Sequence, residues 1–318
     1  MKYFKYKIFA VLMIAAFVCN IFMLTSCTAA GAESNSGDDG KLKIIATLFP
    51  QYDFARQIAG DKANVKLLLP PGVESHTFDP KPSDILDIYN ADLFLYTGEN
   101  MEPWAETIIK GITNDNLVVV DCSKDIELLQ NEDEDEDDGD HEHGADPHIW
   151  LDPNNAMRMV KNILRNIAFI DPENKDYYKE NADEYMDKLR KLDEDIFDVI
   201  NNAKRNIIVF GGRFSYIYFL DHYKLDYITA YDSCSTNAEP SMSKILEVIS
   251  FIKENNIPCV YYEELSAHKV AKAIAKETGK KSLLFSTAHN VTKSEFDDGI
   301  TFLDIMYANL ENIKKGLN

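Results

Sequence analysis

Short apolar runs rich in β-branched residues alternate with helical patterns twice along this chain, on either side of one long amphipathic stretch. In the first half, Leu42 to Leu48, Val65 to Leu69, Leu93 to Tyr96 and Val118 to Val120 read as strands. Helical patterns fill Tyr52 to Ile58, Ser83 to Tyr89 and Trp104 to Ile109, with Gly60 and Pro82 as punctuation. The second half repeats the rhythm. Its strands are Ile207 to Phe210, Tyr227 to Ala230, Cys259 to Tyr262 and Ser282 to Phe285. Its helices are Phe214 to Tyr223, Ser243 to Glu254, Lys269 to Thr278 and a last one through Ile305, Leu310 and Ile313. Strands alternating with helices demand parallel β-α units. The expected class is therefore α/β, as two lobes with mainly parallel sheets.

From Tyr177 to Ala203, apolar or aromatic residues recur mostly at steps of three and four. That pattern predicts one helix about 40 Å long at 1.5 Å per residue. A helix of that length joins two lobes. The expected partition is a first lobe over 41–173, a connecting helix over 174–203 and a second lobe over 204–318. Between such lobes lies a cleft, and ligands of parallel sheets sit outside the carboxyl ends of the strands.

The N-terminus is an address. Lys2, Lys5 and Lys7 precede the apolar stretch Ile8 to Leu24, the order of a secretory signal. The stretch ends in Leu24-Thr25-Ser26-Cys27, which resembles the bacterial lipobox. That resemblance implies a signal peptide over 1–26, acylation of Cys27, and an extracytoplasmic protein anchored to the membrane by lipid. Residues 27–40, mostly Ala, Gly, Ser, Asn and Asp, read as a flexible tether.

The chain has 318 residues, with 33 basic and 53 acidic side chains and a net charge of −20. Nucleic acid wants a basic face, so it is excluded as a partner. A cation is not. Eight carboxylates crowd Glu132 to Asp140, and His141 and His143 follow them. The loop 131–145 reads as a solvated segment that gathers divalent cations weakly. With 45% hydrophobic residues, the remainder has enough apolar surface for real cores.

Signatures of enzymes are absent: there is no HExxH, GxSxG, P-loop or GxGxxG. The acidic pairs Glu263-Glu264 and Asp297-Asp298 and the run Asp193 to Asp195 read as solvated surface charge. Cys122 and Cys259 lie in or beside apolar runs and read as buried thiols, and no CxxC pair exists. Among seven histidines, His76, His148 and His289 map to strand ends or to loops that can face the cleft. Three converging imidazoles suit zinc; three loop histidines that never meet are the bland alternative. His222 and His268 read as surface residues.

Five segments, in order, resemble the zinc/manganese-type metal-binding lipoproteins that feed ABC importers. They are Ile45 to Pro50 with the helix leading to Gly60, GVESHTFDPKPSD from Gly72, DPHIWLDP from Asp146, Glu239-Pro240-Ser241, and Lys269 to Gly279. The resemblance implies that His76 and His148 are metal ligands. It also implies a third ligand after the strand Ile207–Phe210, where this chain reads Gly211-Gly212-Arg213, and an Asp after the last strand, where His289 stands close by. The second lobe is therefore expected to rebuild the site from His289, with Glu263 as a carboxylate and Cys234 as an outside candidate. Arg213 is expected to pair with Glu263 or Glu264.

The expected function is capture of a divalent transition metal, zinc rather than manganese, by a monomer that delivers it to a separate membrane permease. Three rivals stand beside it. One is a binding protein for a small anion gripped by Arg213. Another is an exported zinc hydrolase with Glu263 as base. The third is an adhesive role, which the sequence neither favours nor excludes.

Overall fold

Two four-stranded parallel sheets organise the molecule, whose structure is a computed structural model describing residues 40–75, 77–130, 145–231, 239–265 and 268–318. In the first sheet β1 (Leu42–Ala46), β2 (Ala63–Leu67), β3 (Leu93–Tyr96) and β4 (Val118–Asp121) lie in the order β2-β1-β3-β4. In the second, β5 (Ile207–Phe210), β6 (Asp226–Thr229), β7 (Cys259–Tyr262) and β8 (Lys281–Leu284) lie in the order β6-β5-β7-β8. Every pairing is parallel. All eight strands fall within two residues of the sequence expectation.

The central strands β1, β3, β5 and β7 are largely buried on both faces, and the period of two is visible in what they touch. Ile44, Ala46, Leu93 and Leu95 face a large central core, as do Ile208, Phe210, Cys259 and Tyr261. Ile45, Phe94 and Tyr96 face an outer core closed by Ile88 and Ala105. Val209 and Val260 face another, closed by Val248, Ile252, Ala271 and Ile274. Cys122 and Cys259 are buried free thiols.

The helices are α1 (Phe49–Ala59), α2 (Pro82–Tyr89), α3 (Pro103–Gly111), α4 (Pro153–Ile170), α5 (Lys175–Asn201), α6 (Ile217–Tyr223), α7 (Met242–Glu254), α8 (Lys269–Thr278), α9 (Lys293–Asp297) and α10 (Phe302–Leu317). The sequence reading does not anticipate α4. Its start is nonetheless encoded: Asp152 caps it by accepting the Asn154 amide at 2.8 Å, and Pro153 opens the first turn. It buries Ala156, Met159, Val160, Ile163 and Ile167 along one stripe.

The connecting helix α5 is not a bare strut. It buries Tyr178, Ala182, Tyr185, Met186, Leu189, Leu192 and Ile196 in the central core. It packs on α1 and α4 from the first lobe and on α10 from the second. Both lobes thus share one core, and residues 41–318 form one compact unit. Among the described residues, no helix is long and apolar enough to cross a membrane.

Candidate metal centre

The carboxyl ends of both sheets turn toward each other, and the loops there carry the titratable groups. His148 lies beyond β4, just before a short 3-10 turn over Ile149–Leu151. His289 lies five residues beyond β8. Their rings approach edge to face with centroids 6.2 Å apart, and both are buried, at 0% and 4% exposure. Solvent therefore scarcely reaches either ring.

Each imidazole is oriented through Nδ1. Asp146, itself buried, takes the His148 amide at 2.8 Å and His148 Nδ1 at 3.0 Å through the same oxygen. On the other side, Thr287 Oγ1 donates to Glu264 at 2.7 Å, so the Thr287 oxygen is left to accept from His289 Nδ1. Glu264 Oε1 also lies 3.2 Å from that nitrogen. With the Nδ1 proton donated, Nε2 carries the lone pair of a neutral ring, the form and tautomer that binds a metal. Burial, the largest influence, pulls the His289 pKa below the ordinary imidazole value, although the Glu264 charge opposes it. The neutral ligand form is thereby favoured.

Two further ties align the loops. Trp150 Nε1 donates to the Thr287 carbonyl at 2.7 Å. Asn290 Nδ2 donates to the carbonyls of Pro70 and Val73 at 2.9 and 2.7 Å, and the Gly72 amide donates to Val291 at 2.7 Å. The stem of the loop that carries His76 is thus stitched to the His289 loop. His76 itself lies outside the described residues, as do Cys27, His141, His143 and Cys234. Among the described residues, no group of three His, Cys, Asp or Glu is placed to hold a metal ion.

Arg213 sits where the resemblance implies a ligand. Its Nε donates to Glu263 at 3.2 Å, and its terminal nitrogen donates to Glu74 at 2.9 Å. Burial disfavours its charge, but its bonds to Glu74 and Glu263 outweigh that and raise its pKa. Gly212 makes room: a Cβ there would meet Glu263 Oε2 at 1.8 Å.

Several surface assignments need correction. Glu263 is 5% exposed and the Glu264 side chain 11%, because one is held by Arg213 and the other by Thr287. His222 is wedged between Asp193 at 2.8 Å and Asp152 at 3.7 Å and is 17% exposed. His268 stacks on Tyr262 with centroids 4.3 Å apart. The sequence reading assigns no role to Asp146, Thr287 or Glu74. One signal was present: Asp146 and Thr287 each stand two residues before a candidate histidine.

Residues 44–316 match the family model described as zinc-uptake complex component A, periplasmic. The high-affinity zinc uptake system protein ZnuA of Bacillus subtilis is 37% identical over 96% of each chain. The metal-dependent lipoprotein YcdH of Bacillus subtilis superposes with a TM-score of 0.75 at 34% identity, covering 87% of this chain and 99% of that one. The Zn(II)-bound ZnuA-like domain of Streptococcus pneumoniae AdcA superposes with a TM-score of 0.74 at 29% identity, over 87% and 99%. These relatives are named as metal-binding or uptake components, not as enzymes. With this fold and nearly its whole folded length matched, the chain belongs to the family of periplasmic zinc-uptake binding components.

Proposed function

We propose that this protein captures zinc outside the cytoplasm and hands it to the permease of an ABC importer. The observation that carries the reading is the meeting of His148 and His289 across the cleft, each with Nδ1 held. His76 supplies the third imidazole, from the loop whose stem is bonded to the His289 loop. Glu263, the carboxylate that the sequence offers as a further ligand, is engaged by Arg213. Imidazole donors suit zinc better than manganese, and much better than magnesium or calcium. Because only neutral rings bind, zinc affinity falls as the solution is made acidic. Metal held by both lobes favours the closed arrangement, which docks on the permease.

Residues 1–26 serve as the export signal, Cys27 as the lipid-bearing residue, and 27–40 as the tether. The first lobe is 41–173, the connecting helix 174–203 and the second lobe 204–318. The acidic loop 131–145, with His141 and His143, collects divalent cations. The mature protein works as a lipid-anchored monomer.

The rival in which Arg213 grips an anion is disfavoured, since two carboxylates already engage that guanidinium. The hydrolase rival loses its base for the same reason: Glu263 accepts from Arg213. The test is zinc titration of residues 41–318 with His76→Ala, His148→Ala and His289→Ala. Each is expected to weaken binding by at least about a hundredfold. Parental affinity in His76→Ala and His148→Ala would remove the metal reading.

A further inference from the structure

Arg213 stands out as a buried cation beside a site for cations. It follows β5, at the place where the family resemblance implies a metal ligand, and its side chain is only 15% exposed. Its planar fork spans the lobes, with one nitrogen on Glu74 of the first lobe and another on Glu263 of the second. The cluster flanks the site: Glu74 follows Val73, whose carbonyl accepts from Asn290 beside His289, and Glu263 precedes Glu264, which lies 3.2 Å from His289 Nδ1. Three features of the local sequence serve this arrangement. Gly212 lacks the side chain that would occupy the Glu263 carboxylate's place. Glu74 lies on the loop that the Asn290 amide fixes through Val73. Glu264 is committed to Thr287 and His289, so it does not compete for the guanidinium.

We propose that Arg213 sets the metal preference of the site by holding Glu74 and Glu263 away from the ion. The proposal rests on the metal-binding reading above. A guanidinium cannot shed its proton, so it neutralises carboxylates at any working pH. While it does so, the donors left to an incoming ion are imidazoles, which favour zinc. Releasing a carboxylate adds a hard oxygen donor, which favours manganese relative to zinc. The ligand implied after β5 is thus not merely lost from the second lobe. The position that would supply it holds a residue that restrains the oxygen donors nearby. A general gain in negative charge would strengthen binding of every dication alike. The ratio of manganese to zinc affinity separates the two effects.

The test measures zinc and manganese dissociation constants for the parent and four variants, with folding checked by circular dichroism. Arg213→Gln is expected to lower the ratio of the manganese to the zinc constant by about tenfold. Glu263→Gln alone is expected to leave that ratio within about twofold of the parent, since the carboxylate is already withheld. Adding Glu74→Gln and Glu263→Gln to Arg213→Gln should restore the parental ratio. Arg213→Lys keeps the charge but loses the fork, and should shift the ratio in the same direction by about threefold. It decides the matter if Arg213→Gln does not fold. An unchanged ratio in both Arg213 variants overturns the proposal. So does a ratio that stays low in the triple variant, or loss of zinc binding in Glu263→Gln alone. A parent that binds no zinc is a different result: it defeats the metal reading itself.

Discussion

Trp150 Nε1 donates to the Thr287 carbonyl at 2.7 Å, joining a residue two places after one site histidine to a residue two places before the other. Both residues are buried, and the indole packs edge to face on His148 with centroids 5.4 Å apart. This bond ties the two ligand loops directly to each other. Trp150→Phe keeps much of the packing but leaves the Thr287 carbonyl unsatisfied. We expect it to cost about 2 kcal/mol of stability in urea unfolding, the usual penalty for an orphaned buried acceptor. A loss below about 0.5 kcal/mol would mean that another donor replaces it.

Asp53 does for the fold what Trp150 does for the site. It is fully buried on α1 and accepts from Arg56 Nε at 2.6 Å, from the Tyr185 hydroxyl on α5 at 3.2 Å, and from the Phe302 amide opening α10 at 2.8 Å. First lobe, connector and second lobe meet on one carboxylate. Asp53→Ala strands Arg56, partly buried, and a helix-terminal amide. We expect about 3 kcal/mol of destabilisation by urea titration. Tyr185→Phe, which leaves the other donors in place, should cost about 1 kcal/mol.

His222 gives the molecule a pH signature away from the metal centre. Burial works against its charge, but the hydrogen bond to Asp193 and the charges of Asp152 and Asp193 prevail, so its pKa is raised. A cation favoured in the folded state contributes stability that is fully present below the unfolded imidazole pKa, about 6.5, and is lost as pH rises through the folded value. His222→Gln should therefore be less stable than the parent at pH 5.5, and the gap should narrow as pH climbs past the raised pKa. Thermal unfolding across that range in metal-free buffer measures it. A gap that is constant with pH would show that only packing against Phe197 and Tyr223 was lost.

Much of this was legible in the chain. The central strands announce themselves because parallel strands buried on both faces are near-continuous apolar runs, as in Leu93–Tyr96 and Ile207–Phe210. The order of DPHIW and the last-strand loop pointed to His148 and His289, whose rings do approach each other, while the GVESH histidine, His76, lies outside the described residues. What stayed hidden depends on partners distant in sequence. Glu263 and Glu264 look like surface charge until Arg213, 50 residues away, and Thr287, 23 residues away, are seen to hold them. His222 looks like a surface residue until Asp193 and Asp152 close around it. Helix α4 eluded the pattern because Asn155 and Asn162 lie among its buried residues, while its Asp152 cap sits inside the metal-loop motif.

If the acidic segment only gathers ions, its removal should be nearly silent at equilibrium. Deleting Glu132 to His143 is expected to leave the zinc dissociation constant within about threefold of the parent. Capture at low zinc and low ionic strength should slow, because the long-range attraction is gone. Stopped-flow competition with a chromophoric chelator measures both. Loss of tight binding would place the site in the segment itself.

Gly212 offers the sharpest local check on the arrangement around Arg213. A methyl group there would fall 1.8 Å from Glu263 Oε2, so Gly212→Ala must drive that carboxylate from its seat against Arg213. Its backbone is not in the left-handed region, so the cost comes from crowding. We expect a loss of about 2 kcal/mol, typical of overpacking. In a Glu263→Ala background the same substitution should cost much less, since the space is then vacant. A double-mutant cycle by urea unfolding reads the difference, and a coupling of at least about 1 kcal/mol is expected for groups in direct contact. Additive losses would mean that the carboxylate has room to move, and that Gly212 does not shape its place.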